Sequence, residues 1–214
     1  MEWFASFTDL VLHLDKHLLF FVQQYGDWVY ALLFAIIFTE TGIVIAPFLP
    51  GDSLLFVAGA LCVTEGMSLP VLMVLLVVAA ILGDAVNYSI GHWFGEALIR
   101  RTRLISAEKL KYTEQFFEKH GPKTIVIARF LPIVRTMAPF VAGFGGMKAQ
   151  RFFLYNFTGG LLWVVSLTLA GYLFGNIPFI KNNLTAVILV IIFVSILPGI
   201  IAVLKARVAD SKRS

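Results

Sequence analysis

Two short phrases occur twice in this chain, in the same order, and they constrain its fold more than any other feature. Residues 48–59 read FLP-GDSLL-FVAG, and residues 130–143 read FLP-IVRTMAP-FVAG. Downstream, GHWFG at 91–95 and GYLFG at 171–175 form a second matching pair. Each copy places prolines, glycines and charges inside apolar sequence, where an ordinary membrane helix lacks them. Repeats with interrupted apolar segments are typical of transporters built from two related halves.

The repeated unit covers roughly 40–97 and 122–176, and it lies in sequence that is apolar enough for a membrane. Of the 214 residues, 59% are apolar and 14% are charged, which is too apolar for a water-soluble domain of this size. A membrane span needs about 20 mostly apolar residues. Four stretches meet this need: 28–46, 69–97, 152–176 and 182–204. We therefore predict an all-α polytopic membrane protein, a single membrane domain over 1–214, with about four spanning helices.

Two further segments are expected to be amphipathic. Residues 1–27 hold acidic residues and two histidines without the basic start, apolar run and cleavage site of a signal peptide. They predict a segment that lies at the membrane interface. Residues 107–119 alternate charged and aromatic side chains, which predicts an amphipathic helix on the cytoplasmic membrane surface.

The distribution of Lys and Arg predicts the topology. Basic residues cluster in 98–123 and in the tail 205–214, whereas 60–70 has none and 176–183 has only Lys181. The positive-inside rule places the first two segments in the cytoplasm and the other two outside. Both termini are then cytoplasmic.

With this topology, the segments 47–59 and 125–146 must return to the side from which they enter. We therefore predict two re-entrant helical hairpins. Each repeat is then one hairpin plus one spanning helix, and a single crossing per repeat makes the two copies an inverted repeat.

Prolines and a glycine explain why these segments should not be plain helices. Pro47, Pro50 and Gly51 interrupt the first copy, and Pro132 and Pro139 are expected to interrupt the second. Freed backbone groups at membrane depth are tolerated only when they are buried in protein or line a wet cavity. Two opposed hairpins would meet near the midplane, and their tips would form a polar pocket.

Four charged residues lie within or next to the hairpins: Glu40 and Asp52 in the first copy, Arg129 and Arg135 in the second. Each charge at the bilayer centre costs about 2.5–3.5 kcal/mol on insertion scales. One interpretation is two buried ion pairs that fix how the hairpins dock. The other is an anion site in which the arginines bind phosphate oxygens and the acids carry protons. The sequence leaves open whether the arginines contact a substrate or only neutralise the acids.

Other residues carry weaker signals. Asp84, Asn87 and Tyr88 fall in the second span, where polar contacts between helices and a role in a transport pathway are equally reasonable. The two GxxxG pairs, at 91–95 and 171–175, favour close helix packing.

Several classes of partner are not expected. Cys62 is the only cysteine, so an intrachain disulfide and a thiolate metal cluster are excluded. Apart from His13 and His17, the histidines lie far apart, and we expect no metal site and no cofactor. The sequence contains no nucleic-acid-binding module, and a net charge of +4 suits anionic headgroups better. The oligomeric state is not fixed, and a homo-oligomer is left open.

Three motifs together resemble the DedA family of bacterial inner-membrane proteins, within the SNARE-associated or VTT-domain superfamily. They are Glu40 with PFLPGD at 47–52, Gly83-Asp84 with Tyr88 and Gly91, and RFLPIVRT at 129–136. The resemblance covers nearly the whole chain. It implies an inner-membrane location, two opposed re-entrant hairpins and a role in membrane-lipid homeostasis.

The resemblance also implies a substrate. Family members are implicated in returning undecaprenyl phosphate across the membrane with dependence on the proton motive force, and eukaryotic relatives are phospholipid scramblases. Two acids and two arginines are needed in the family, and Glu40, Asp52, Arg129 and Arg135 match them. We therefore expect a non-enzymatic lipid flippase, with Arg129 and Arg135 binding the lipid phosphate and Glu40 and Asp52 coupling protons.

Three alternatives remain. The first is an energy-independent phospholipid scramblase, and the second is a proton-coupled ion or drug exchanger. The third is an intramembrane lipid phosphatase, which would need a histidine near the arginines, and His120 is the only one nearby in sequence.

Overall fold

A computed structural model describes residues 14–43, 51–101 and 107–175, together with positions 177, 178, 187 and 190. This part of the chain is helical and contains no β-strand. Pro47, Pro50, the tail 205–214 and nearly all of the predicted span 182–204 lie outside it. An all-helical architecture is therefore confirmed for the described residues.

Within these ranges the α-helices follow one another in chain order. They are α1 Leu14–Tyr25, α2 Trp28–Gly42, α3 Gly51–Thr64, α4 Leu69–Arg101, α5 Ala107–His120, α6 Thr124–Ala128, α7 Pro132–Phe144 and α8 Ala149–Phe174. A 3-10 turn at Gly121–Lys123 joins α5 to α6.

Two of the described helices, α4 and α8, are long and apolar enough to cross a membrane. Their apolar stretches are Leu69–Gly95, with 27 residues, and Ala149–Phe174, with 26 residues. At 1.5 Å per residue each is about 40 Å long, which exceeds the ~30 Å hydrocarbon core. Helices α2 and α3 have 15 and 14 residues and reach only about 22 Å. The spans predicted at 28–46 and 182–204 stay predictions.

The amphipathic segments are helices that pack on the bundle. Helix α1, in the predicted segment 1–27, contacts α2 and α3, and it buries Leu18 while Phe20 stays exposed. Helix α5 covers the amphipathic helix predicted at 107–119, and it contacts α7. Both helices therefore pack against other helices of the described chain.

The second copy of the FLP phrase breaks the chain between α6 and α7. Leu131 is extended, with φ −124° and ψ 100°, because the ring of the following proline disfavours helical angles in the residue before it. Helix α7 then begins at Pro132, where a missing N–H has no helical acceptor to lose. Arg129 lies in this break, and Arg135 lies in the first turn of α7.

Pro139 does not break the helix, contrary to the expectation from the sequence. Helix α7 continues from Pro132 to Phe144 with Pro139 inside it. A proline removes one i→i−4 hydrogen bond, and the helix can continue if the tertiary packing compensates for that loss. The carbonyl that loses its amide donor belongs to Arg135.

Each copy of the duplicated unit packs its short helix against the long helix of the other copy. Helix α3, from the first copy, crosses α8 from the second at Gly59 and Gly171. A methyl group on Gly59 would collide with the backbone carbonyl of Thr168, and one on Gly171 would collide with that of Phe56.

The second crossing repeats the first, position by position. Helix α7 crosses α4 at Gly143 and Gly91. Methyl groups there would collide with the carbonyls of Tyr88 and Phe140, which also lie three residues before the facing glycine. The close packing expected at the two GxxxG pairs is confirmed.

Candidate functional site

Arg135 is the centre of a buried cluster of charges that joins three helices. Its Nη2 donates to Glu40 Oε1 of α2 at 2.5 Å, and its Nη1 donates to Asp52 Oδ1 of α3 at 2.7 Å. The Glu40 side chain is 1% exposed and the Arg135 side chain is 8% exposed. A planar guanidinium can serve two acceptors at once, so Arg135 pairs with both Glu40 and Asp52.

Gly51 permits the approach of Glu40 to the start of α3. A methyl group on Gly51 would overlap the Glu40 carboxylate. The glycine therefore allows close contact between the Glu40 carboxylate and α3, and its predicted role in shaping a pocket stays a prediction.

Trp163 of α8 closes the cluster from the opposite side. Its indole Nε1 donates to Asp52 Oδ1 at 2.9 Å. Its ring centroid lies 5.0 Å from the Cζ of Arg135 and 5.6 Å from the Cζ of Arg129. These distances are within the range of cation–π attraction. One aromatic ring therefore lies against both guanidinium groups.

Arg129 has its own set of partners at the break between α6 and α7. Its Nη2 forms an ion pair with Asp84 of α4, and it also donates to Asn156 Oδ1 of α8 at 2.6 Å and to the Ala80 carbonyl at 3.3 Å. Its Nε and Nη1 are buried and find no hydrogen-bond partner among the described residues. Arg129 thus combines a fixed contact with unused donor groups.

One interpretation of the sequence was two ion pairs formed among Glu40, Asp52, Arg129 and Arg135. The structure pairs these residues differently. Arg135 takes both acids, and Arg129 takes Asp84, which brings one of the weaker candidates into the cluster. Three carboxylates thus face two guanidinium groups within the described part of the chain. A buried carboxylate without its own cation is costly, so proton uptake or a bound cation would stabilise this cluster.

Asn87 and Tyr88 lie beside the cluster and tie helices together. Asn87 Nδ2 donates to the Thr41 carbonyl at 3.2 Å and to the Thr136 carbonyl at 3.0 Å. The Tyr88 hydroxyl donates to the Met147 carbonyl at 2.5 Å. These contacts correspond to the polar helix–helix interactions that the sequence left open.

Asn156 and Trp163 are site residues that sequence reasoning missed. Asn156 is an amide inside a long apolar span, and a buried amide requires partners, so this signal was available. Trp163 is near the middle of α8, away from the helix ends where membrane-protein tryptophans are enriched. This unusual position could also have marked Trp163 as a site residue, although the partners of Trp163 are known only from the fold.

Comparisons with known proteins identify relatives of this chain. The profile of the VTT domain family matches residues 49–173. The chain is 53% identical to Protein DedA of Escherichia coli over 216 residues, 99% of each chain. It is 41% identical to an uncharacterised membrane protein of Mycobacterium leprae, over 86% of this chain and 85% of the relative.

A further relative is Inner membrane protein YqjA of Escherichia coli. It is 41% identical over 155 residues, 71% of this chain and 70% of the relative. No solved structure matches this chain significantly. The matched domain contains Asp52, Arg129, Arg135 and Trp163, and Glu40 lies just before it.

Proposed function

This chain belongs to the DedA family of membrane proteins, and from that premise we propose that it moves a lipid phosphate across the bacterial inner membrane. The observation that carries the proposal is the buried Arg135, shared by Glu40 and Asp52 inside an apolar helical protein. A guanidinium stays charged when it is desolvated and fits phosphate oxygens in a fork geometry.

Competition for Arg135 supplies the coupling to protons. While Glu40 and Asp52 are ionised they occupy the two guanidinium nitrogens that a phosphate would use. Protonation removes their charge and weakens that hold. A phosphate group therefore enters most easily when the acids take up protons, and protons and lipid phosphate travel together.

This coupling sets a direction. The proton motive force drives protons inward, so a lipid phosphate that moves with them passes from the outer to the cytoplasmic leaflet. We propose undecaprenyl phosphate, or a related polyprenyl phosphate, as the substrate, with its tail remaining in the bilayer. Exposed apolar side chains on the outer faces of α4 and α8, such as Val74, Leu154 and Leu173, suit contact with lipid tails.

Arg129 is proposed to assist at the same site. Its unused donor groups can take a further phosphate oxygen, while Asp84 and Asn156 hold the rest of the side chain in place. The lipid leaves chemically unchanged, so no release of inorganic phosphate is expected.

The third carboxylate of the cluster favours one other function, the exchange of protons for a cation. In such an exchanger the carboxylate without its own arginine would take up the proton; among the described residues, no group of three His, Cys, Asp or Glu side chains is arranged to hold a metal ion. In that case the protein would transport soluble cations, and lipid phosphates would not compete.

Transbilayer movement of a labelled polyprenyl phosphate in proteoliposomes tests the proposal. We expect wild-type protein to move the lipid faster when a pH gradient is imposed. Arg135→Ala should lower the rate by at least about tenfold, because it removes charge-assisted hydrogen bonds to the headgroup. Arg151→Ala, which removes an exposed arginine at the start of α8, is the control and should leave the rate unchanged.

The other outcomes contradict the proposal in different ways. A wild-type rate that ignores the gradient and the headgroup would indicate an energy-independent scramblase. No lipid movement combined with cation-dependent proton flux would indicate an exchanger.

A further inference from the structure

One oxygen atom in the cluster is held by two donors from two different helices. Asp52 Oδ1 accepts from Arg135 Nη1 at 2.7 Å and from Trp163 Nε1 at 2.9 Å. Convergent, pre-positioned N–H groups around one point are how proteins bind an oxyanion. The position of this oxygen is therefore already arranged to hold a negative charge, whichever group supplies it.

Trp163 is held in this orientation by its surroundings. The side chain is 1% exposed, and its ring lies against the guanidinium groups of Arg129 and Arg135. Rotation of the indole would lose both contacts, so its N–H is fixed toward Asp52.

Asp52 is the acid best placed to leave. Its side chain is 17% exposed, whereas that of Glu40 is 1% exposed. An acid that reaches the edge of a buried cluster can exchange its partners for water at lower cost than one that is fully buried.

We propose that a phosphate oxygen of the substrate takes the position of Asp52 Oδ1, and that the Trp163 indole N–H is one of its two donors. This inference rests on the proposed function and adds to it a binding residue. Protonated Glu40 stays on the other nitrogen of Arg135 as an acceptor through its carbonyl oxygen, while protonated Asp52 moves aside. The group recognised is a phosphate monoester, one oxygen of which accepts from both donors.

Trp163→Phe separates the N–H from the ring. Phenylalanine keeps an aromatic face for the two arginines and loses only the donor. We expect the half-saturating concentration of polyprenyl phosphate to rise about tenfold, as for loss of one charge-assisted hydrogen bond, while the maximal rate stays near that of wild type. Trp93→Phe, at a tryptophan that is 75% exposed, is the matched control and should change neither quantity.

Tryptophan fluorescence gives a second measurement that does not depend on how well Trp163→Phe folds. The chain has four tryptophans, and replacing Trp3, Trp28 and Trp93 by phenylalanine leaves Trp163 as the only emitter. The probes are farnesyl phosphate, farnesol and inorganic phosphate. We expect the emission of Trp163 to change with farnesyl phosphate and not with farnesol.

Each result has a definite meaning. A response to inorganic phosphate as well would support the oxygen position and identify free phosphate as a second ligand of it. If wild-type protein moves polyprenyl phosphate but Trp163 neither responds nor affects half-saturation, this inference is wrong and the proposed function stands. If wild-type protein neither binds nor moves polyprenyl phosphate, both this inference and the proposed function are wrong.

Discussion

The two arginines of the cluster differ in how firmly they are engaged. Arg129 is held by a carboxylate, a side-chain amide and a backbone carbonyl from α4 and α8. The two terminal nitrogens of Arg135 donate instead to the carboxylates of Glu40 and Asp52, which lose their charge on protonation. Of the two, Arg135 is therefore the residue whose partners can change during a transport cycle.

Glu40→Gln tests proton coupling at this residue. The amide keeps an oxygen for Arg135 but is unable to take up a proton, so we expect lipid movement in proteoliposomes to become equal with and without a pH gradient. Glu114→Gln makes the same change at an exposed position of α5 and should keep the acceleration. An unchanged gradient response in Glu40→Gln would rule out this acid as a proton carrier.

The sequence indicated the charged residues of the site but not how they pair. Arg129 and Arg135 are six positions apart, and only the break between α6 and α7 decides that one faces α4 and the other faces α2 and α3. A pattern of residue types does not show how the chain turns at this break, and so it does not show which helix each arginine faces. Sequence reasoning missed Trp163 for the same reason. Its partners lie more than 25 positions away along the chain, and only the fold brings them together.

At the scale of helices, length and periodicity were more informative. The predicted span 69–97 corresponds to α4 (Leu69–Arg101), and the predicted span 152–176 corresponds to α8 (Ala149–Phe174), because long apolar stretches with few charges allow few alternatives. The predicted hairpin 47–59 ends earlier than α3, which continues to Thr64. Pro139 was the clearest error, since a proline is tolerated inside a helix when neighbouring helices supply the packing.

The reciprocal helix crossings can be tested with alanine. Gly59→Ala and Gly143→Ala each place a methyl group against a backbone carbonyl, which a side-chain rotation is unable to relieve. Overpacking costs about 1–3 kcal/mol, which outweighs a gain of up to about 1 kcal/mol in helix propensity. We expect both variants to lose monodispersity in detergent at lower temperature than wild type, by similar amounts.

Gly42→Ala is the control for these crossings. A methyl group there would lie 3.4 Å from the Gly83 carbonyl oxygen, an ordinary contact, so little change is expected. Heat tolerance at or above the wild-type value in Gly59→Ala and Gly143→Ala would show that the crossings are looser than described.

For the molecule as a whole, the open prediction is its orientation in the membrane. Cys62 is buried, and Cys62→Ala gives a background for single cysteines at Ser68 and Glu114, both exposed. From the positions of the basic residues, we expect an impermeant maleimide to label Ser68→Cys in intact spheroplasts and Glu114→Cys only after permeabilisation. Labelling of both from one side would contradict a single crossing by α4.

The crossed packing of α3 on α8 and of α7 on α4 suggests how such a fold could have arisen. Each copy of the unit has its short helix covered by the long helix of the other copy, so neither copy contains the surface that its own glycines require. A gene for one unit would encode a chain that needs a second identical chain to cover them. Duplication and fusion of such a gene would turn a contact between two chains into a contact within one, and no new interface would have to evolve.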